Sequence, residues 1–128
     1  MVIDSSAFLA VHLKEVHHEE LFAKIADAPV TIIGTPTLLE TTMVLSARTR
    51  RDSRIAIARS LSELRIQVVP FTGDHFDRAA EAFLRYGKGR HPAALNFGDC
   101  MSYAVAAVSG MPLLYTGRDF AQTDIPAA

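Results

Sequence analysis

The sequence predicts an α/β fold in which helices cover both faces of a central, mainly parallel sheet of four or five strands. Short apolar, β-branched segments alternate with longer segments of helical periodicity, and this alternation is typical of parallel strands joined by crossover helices. The 128 residues match the length of one domain, and 49% of them are hydrophobic. We therefore expect a single domain, residues 1–128, with a three-layer α/β/α sandwich architecture.

The first half of the chain contains two predicted strands and four predicted helices. The strands are expected at residues 1–3 and 30–33, and the helices at residues 7–13, 15–28, 36–51 and 53–64. Ser5 or Ser6 is suited to cap the first helix, because a hydroxyl at this position accepts a bond from a free backbone amide. Thr35 followed by Pro36 marks the start of the third helix in the same way.

The second half continues the alternation. Two further strands are expected at residues 67–70 and 112–115, and two further helices at residues 73–87 and 97–109. Gly87 is expected to end the first of these helices, and Asn96 to cap the second. A loop containing glycine and proline joins them, and the tail, residues 117–128, is expected to be a loop with a short edge strand near Ile125.

Composition narrows the class of protein. Net charge is −1 and the only cysteine is Cys100, so an internal disulfide is excluded and a cytoplasmic location is expected. No secretory signal or membrane span is recognisable, and no membrane partner is expected. Two local basic clusters are suited to phosphate binding, although arginines on a solvated helix face give the same pattern. The clusters are Arg48, Arg50, Arg51, Arg54, Arg59 and Arg65, and then Arg85, Lys88, Arg90 and His91.

Three carboxylates stand alone in apolar surroundings. Setting His12 aside, Asp4, Glu40 and Asp99 are the sole charged side chains within residues 1–13, 30–47 and 95–117, respectively. A buried carboxylate without a partner costs several kcal/mol, roughly, and none of these segments supplies a lysine or arginine. A cation shared between the carboxylates would remove this cost.

Their positions predict that the carboxylates meet. Asp4, Glu40 and Asp119 come soon after predicted strand ends, and the carboxyl ends of parallel strands form one edge of a sheet where ligands bind. Asp99 lies in the first turn of the helix that leads into the last strand, and that turn can reach the same edge. An all-oxygen set of ligands suits Mg²⁺ or Mn²⁺, and such an ion could activate a water and neutralise charge on a phosphate.

Each acid also has a structural interpretation. Asp4 could cap a helix, Asp99 could form a capping pair with Asn96, Glu40 could be a half-exposed helix residue, and Asp119 could be simple surface. Two other functions also remain open: a phospho-acceptor or phosphatase domain of doubly wound type, and a non-catalytic RNA- or protein-binding domain. Asp4 lacks a second aspartate two places on, which weakens the phosphatase interpretation. No nucleophile-elbow motif accompanies the five histidines.

Four motifs resemble the PIN-domain family, and within it the VapC-type toxins of bacterial toxin–antitoxin pairs. They are Val2-Ile3-Asp4-Ser5-Ser6-Ala7, Thr35-Pro36-Thr37-Leu38-Leu39-Glu40, the long stretch at residues 86–100, and residues 113–117 followed by Asp119-Phe120 and Thr123-Asp124-Ile125. The resemblance covers essentially the whole chain. The residues 86–100 are the most specific part.

The resemblance implies a PIN fold and a Mg²⁺- or Mn²⁺-dependent endoribonuclease. Asp4, Glu40 and Asp99 fall on the family's acidic positions and Asp119 on a fourth, more variable one, while Arg118 departs from the usual residue beside it. Ser6 and Thr116 fall near positions where the family often has a supporting hydroxyl. The implied partners are an RNA substrate, a second copy of the chain in a homodimer, and a cognate antitoxin in a heterotetramer or larger assembly. The helices between residues 36 and 64 are the expected antitoxin-docking clamp.

Overall fold

The computed structural model describes residues 1–128 and contains four strands, six α-helices and one 3₁₀ turn. The strands are β1 (Val2–Ile3), β2 (Thr31–Gly34), β3 (Ile66–Val69) and β4 (Leu113–Leu114). The helices are α1 (Ser5–His12), α2 (His18–Asp27), α3 (Thr35–Thr49), α4 (Arg54–Glu63), α5 (Gly73–Tyr86) and α6 (Phe97–Ser109). The 3₁₀ turn covers Phe120–Gln122. None of the helices combines the length and apolar content needed to span a bilayer.

All strands of the sheet are parallel, in the order β3-β2-β1-β4. Val2 in the centre is paired with Ile32 on one side and with Leu113 on the other. This register aligns the carboxyl ends of β1, β2 and β4. The segments that follow these three strands therefore begin at one edge of the sheet.

Adjacent residues in each central strand point to opposite faces, and each face has its own core. Val2, Ile32 and Leu113 belong to one apolar cluster, together with residues of α5 and α6. Their neighbours Ile3, Ile33 and Leu114 belong to a second cluster, which includes residues of α1, α2, α3 and α4. This alternation follows from the two-residue period of a strand. The predicted three-layer architecture is confirmed, with four strands in the sheet.

Helix starts differ in detail from the sequence prediction. The residue that caps α1 is Asp4, whose carboxylate accepts from the Ser6 amide, so the expectation of a Ser5 or Ser6 cap was wrong. The N-cap of α3 is Gly34 where Thr35 was expected. Both helices thus begin immediately after their strands, without a connecting loop. This tight junction brings their first turns close to the sheet edge.

Later elements agree more closely with the prediction. Asn96 caps α6 as expected, and Gly87 ends α5, in an extended conformation. A side chain at Gly87 would collide with Phe83, which explains the glycine. The tail forms one parallel bridge, between Leu113 and Ala127, close to the edge strand expected near Ile125.

Candidate active site

Asp4 lies at the centre of the sheet edge and is almost fully buried, with 3% of its surface exposed. Its backbone amide donates to the Leu114 carbonyl (2.9 Å), which fixes it beside the end of β4. One carboxylate oxygen, Oδ2, accepts from the Ser6 amide (2.9 Å) and the Ser6 hydroxyl (2.6 Å). The other, Oδ1, accepts from the Ser102 hydroxyl (2.6 Å) on α6. The carboxylate of Asp4 therefore connects the first turn of α1 to α6, and its backbone amide connects the site to the end of β4.

A buried hydroxyl chain orients Asp4. Ser102 has one hydroxyl proton, which it donates to Asp4, so its contact with the Thr37 hydroxyl (3.0 Å) has Thr37 as the donor. Thr37 and Ser102 are both buried, and they connect α3 to α6. Because a carboxylate has about four acceptor positions and Asp4 uses three, about one position remains free to bind a ligand.

Glu40 brings a second carboxylate from α3. Its Oε2 is buried and has no hydrogen-bond partner, an arrangement that is costly for a polar atom. Burial is the main cause that raises the pKa of Glu40, the Asp4 charge adds to it, and the Ser5 hydroxyl opposes it. The carboxyl group lies against Gly98 of α6: a Cβ at that position would be 2.5 Å from Oε1 and 2.6 Å from Oε2. Only glycine leaves room for Glu40 there.

Asp99 occupies the first turn of α6. Its Oδ2 accepts from the Asn96 amide (2.8 Å), and the Asn96 side chain accepts from the Asp99 amide (3.0 Å), so the two residues form a capping box. Burial raises the pKa of Asp99 to about 6, against the opposing effect of the Asn96 amide. The charges of Asp4, Asp119 and Glu40 raise this pKa further. The pKa of Asp99 therefore depends on the charges of all three other carboxylates.

Asp119 is the most exposed member of the set. It lies at the start of the 3₁₀ turn that follows β4, with no capping bond from its side chain. The charges of the four carboxylates influence one another, but the carboxylates are not close enough together to form a metal site as they stand. No three carboxylate, imidazole or thiol side chains of the chain are arranged to hold a metal ion. Like charges at 4 Å repel by about 4 kcal/mol at an effective dielectric of 20, so a closer approach of these groups requires a positive charge between them.

The structure thus brings the four sequence-predicted acids to one edge of the sheet. The capping interpretations of Asp4 and Asp99 also hold, and they are compatible with a site because each leaves acceptor capacity unused. Ser6 supports Asp4 with its hydroxyl as expected, whereas Thr116 contributes its backbone amide, which donates to the Ser6 hydroxyl (3.0 Å).

Sequence reasoning missed three residues of this site, namely Thr37, Gly98 and Ser102. Hydroxyls within a helix and a glycine in its first turn are common in every fold, so neither pattern points to a site by itself. Ser102 and Gly98 are close to the carboxylates of Asp4 and Glu40, Thr37 is bonded to Ser102, and the Ser102–Asp4 contact spans 98 positions. That proximity exists only in the folded chain.

Each of the two basic clusters contains both paired and unpaired cations. In the first basic cluster, Arg48 is paired with Glu15 and Arg54 with Asp52, while the other four arginines are exposed and take part in no ion pair. In the second, Arg85 is paired with Asp124, while Lys88 and Arg90 are exposed and take part in none of the five ion pairs. The loop after α5 therefore keeps two cations available for an anion.

Known proteins resemble this chain over nearly its full length. A model of the PIN domain family matches residues 1–126. Ribonuclease VapC36 from Mycobacterium tuberculosis is 45% identical over 126 residues, which cover 98% of this chain and 91% of the relative.

Solved structures agree with the fold. The crystal structure of M. tuberculosis VapC20, described as a sarcin–ricin loop cleaving toxin, has a TM-score of 0.78 at 22% identity and covers 99% of this chain and 97% of its own. A toxin–antitoxin complex from Klebsiella pneumoniae has a TM-score of 0.70 at 18% identity, covering 96% and 92%. The carboxylate edge, the match over residues 1–126 and the close relatives lead to one conclusion: the chain belongs to the PIN-domain family and, within it, to the VapC ribonucleases.

Proposed function

We propose that this chain, acting as a single PIN domain over residues 1–128, is a metal-dependent endoribonuclease and the toxin of a toxin–antitoxin pair. Membership of the VapC ribonucleases supports the activity. The observation that carries the assignment of the site is the electrostatic coupling of Asp99 to Asp4, Glu40 and Asp119 at the sheet edge. Neither alternative function, phosphate acceptor or non-catalytic binding domain, is favoured by these relatives.

The donor set fits a hard divalent cation. Three observations support this fit: Oε2 of Glu40 has no hydrogen-bond partner, Asp4 and Asp99 keep free acceptor positions, and burial together with the charges of the other acids raises the pKa of Asp99. All-oxygen, anionic ligands select Mg²⁺ or Mn²⁺ over metals that prefer nitrogen or sulfur. We infer that Asp4, Glu40 and Asp99 hold the ion and that Asp119 contributes from the exposed side.

The residues of the chain then have distinct tasks in phosphodiester hydrolysis. The buried Thr37–Ser102 chain fixes Asp4, and Gly98 leaves space for Glu40, so both carboxylates are preorganised. Lys88 and Arg90 attract the RNA backbone. When bound, a divalent ion supplies activation of a water and neutralisation of the charge that develops on the phosphate.

The central test is RNA cleavage by the purified protein in Mg²⁺ or Mn²⁺, with and without a chelator. We expect cleavage that requires metal, and its loss in Asp4→Asn and Asp99→Asn. Asp27→Asn is the matched control, because Asp27 is exposed at the end of α2 on a helix that contributes nothing to the site. Cleavage that persists in Asp99→Asn, or that is unaffected by the chelator, would reject the proposed chemistry. Release of phosphate from a phosphomonoester, without RNA cleavage, would favour the phosphatase alternative.

A cognate antitoxin is the proposed protein partner. The solved toxin–antitoxin complex with the same fold supports this assignment, and so does Ile55, a large apolar side chain exposed on α4 of the predicted clamp. The acidic pocket would also attract a basic side chain of the partner. We expect the product of an adjacent small reading frame to co-purify with this chain and to stop RNA cleavage. Failure of that protein to bind the chain would reject the pairing.

A homodimer is the proposed assembly. Five large apolar side chains are exposed near the site, on α3, α5 and the start of α6: Leu39, Met43, Phe76, Phe83 and Phe97. Two adjoining grooves share Phe97, and the larger, about 790 Å³, also borders Glu40. An apolar surface of this extent favours burial against another surface. We expect a dimer by light scattering and a monomer for Phe97→Glu, with the exposed Val16→Glu as control; a monomeric wild-type protein would overturn this assembly.

A further inference from the structure

We propose that Asp124 is a positioning residue for the carboxylate site, because it clamps the C-terminal segment that carries Asp119 onto the helix that carries Asp99. This inference rests on the proposed function, in which Asp119 contributes to metal binding. It assigns a task to the last part of the closing motif, Thr123-Asp124-Ile125, which metal binding itself does not explain.

The clamp is a two-sided contact of one carboxylate. Oδ1 of Asp124 accepts from the Tyr103 hydroxyl (2.7 Å), and Oδ2 accepts from Nη1 of Arg85 (3.0 Å). Tyr103 is buried and lies four residues after Asp99 on α6, so the two side chains share one face of the helix. The bond from Tyr103 therefore links the Asp99 helix directly to the segment that follows Asp119.

Arg85 is itself held in place. Its Nη2 donates to the Tyr86 hydroxyl (2.7 Å), and its guanidinium lies 4.7 Å from the centre of the Tyr86 ring. The Tyr103 hydroxyl and the Arg85 charge lower the pKa of Asp124, while burial and the bond to Asp124 raise the pKa of Tyr103. Asp124 thus stays an acceptor and Tyr103 a donor at neutral pH.

Apolar packing also holds the segment against α5 and α6, and the clamp adds directional polar contacts to it. Phe120 is buried in the apolar cluster that includes residues of α5 and α6, with its ring centre 5.0 Å from that of Tyr115, and the backbone amide of Leu113 donates to the carbonyl of Pro126. Between these two anchors, Asp124 is the only side chain with an ion pair or a side-chain bond to α5 or α6. Releasing it would leave apolar packing alone to position the 3₁₀ turn, so that Asp119 could reorient relative to α6.

A double-mutant cycle separates positioning from simple stabilisation. We expect Asp124→Asn to weaken Mn²⁺ binding, measured by calorimetry, by about tenfold, the lower end of the effect seen for residues that orient metal ligands. The same change should lower kcat and leave KM for RNA unchanged. In an Asp119→Asn background, Asp124→Asn should cause no further loss of Mn²⁺ affinity, because its effect is transmitted through Asp119.

Controls keep the result interpretable. Asp52→Asn removes an exposed aspartate that is also paired with an arginine, Arg54, and should leave Mn²⁺ affinity unchanged. Tyr103→Phe removes only the hydroxyl and should weaken Mn²⁺ binding as Asp124→Asn does. In the Asp119→Asn background, Tyr103→Phe should likewise cause no further loss of Mn²⁺ affinity. An equal loss in both backgrounds, or no loss in either, would overturn the inference. If Asp119→Asn alone leaves metal binding and cleavage unchanged, the proposed role of Asp119 fails instead.

Discussion

Replacing Gly98 by alanine adds one carbon atom where the Glu40 carboxyl group lies. The new Cβ would be 2.5 Å from Oε1, 2.6 Å from Oε2 and 2.7 Å from Cδ of Glu40. To move from 2.5 Å to ordinary contact at 3.4 Å, the carboxyl group must shift by about 0.9 Å. Glu40 ends a flexible side chain, so it is the carboxylate that moves and the backbone of α6 stays in place.

The size of this shift fixes the expected loss of activity. A misplacement of about 1 Å in a catalytic group can lower the rate by about 100-fold. We therefore expect Gly98→Ala to reduce kcat for RNA cleavage by about 10- to 100-fold and to weaken Mn²⁺ binding. The free energy of unfolding should rise or stay constant, because alanine is favoured over glycine within a helix by up to about 1 kcal/mol.

The assay combines metal-dependent cleavage of RNA with thermal unfolding. Gly73→Ala is the matched control, because Gly73 also lies in the first turn of a helix and a Cβ there would meet no atom within 4 Å. We expect this control to retain wild-type kcat. Wild-type kcat in Gly98→Ala, or a fall in Tm large enough to leave much of the variant unfolded during the assay, would refute the reasoning.

Three further outcomes are expected. Ser102→Ala removes the donor to a buried oxygen of Asp4 and should lower the free energy of unfolding by about 1–3 kcal/mol, measured by urea denaturation; an unchanged midpoint would contradict the hydroxyl chain. Because the pKa of Asp99 is about 6, Mn²⁺ affinity should rise as pH increases through 6, and a flat calorimetric profile from pH 5 to 7.5 would contradict the metal role. The pKa of Asp99 is about 6 in the folded protein and 3.8 as the reference for the unfolded chain, so the folded state binds the proton more tightly. The free energy of unfolding of the metal-free protein should therefore fall as pH rises from 3.8 to about 6, by about 1 kcal/mol after allowing for solvent exposure. Asp99→Asn should abolish that slope in urea titrations, and a slope that persists would contradict the assignment.

The layered fold could be predicted because its strands are short and mostly apolar, and β1 and β4 are apolar pairs. Val2 and Ile3 point to opposite faces, so a strand buried on both sides shows no polar alternation and is recognised by its apolar composition. Helix starts were harder to place. A serine after Asp4 has the chemistry of a cap, yet Asp4 itself forms the cap, because the helix begins without an intervening loop.

The acids of the site could be predicted for a related reason. A charge in an apolar segment is conspicuous, and Asp4, Glu40 and Asp99 each have this signature. Ser102 and Gly98 have no such signature, since a small polar residue in a helix is ordinary. Their importance arises from contacts with Asp4 and Glu40, and only the packing of α6 against α3 and the sheet edge creates those contacts.

Anomalous diffraction from crystals of the protein grown with Mn²⁺ tests the central claim most directly. We predict a manganese peak at the carboxyl edge of the sheet, about 2.0–2.3 Å from carboxylate oxygens of Asp4 and Asp99, with Glu40 close by. A peak at another surface with this pocket empty, or a peak in the pocket with none of these carboxylates within coordination distance, would contradict it.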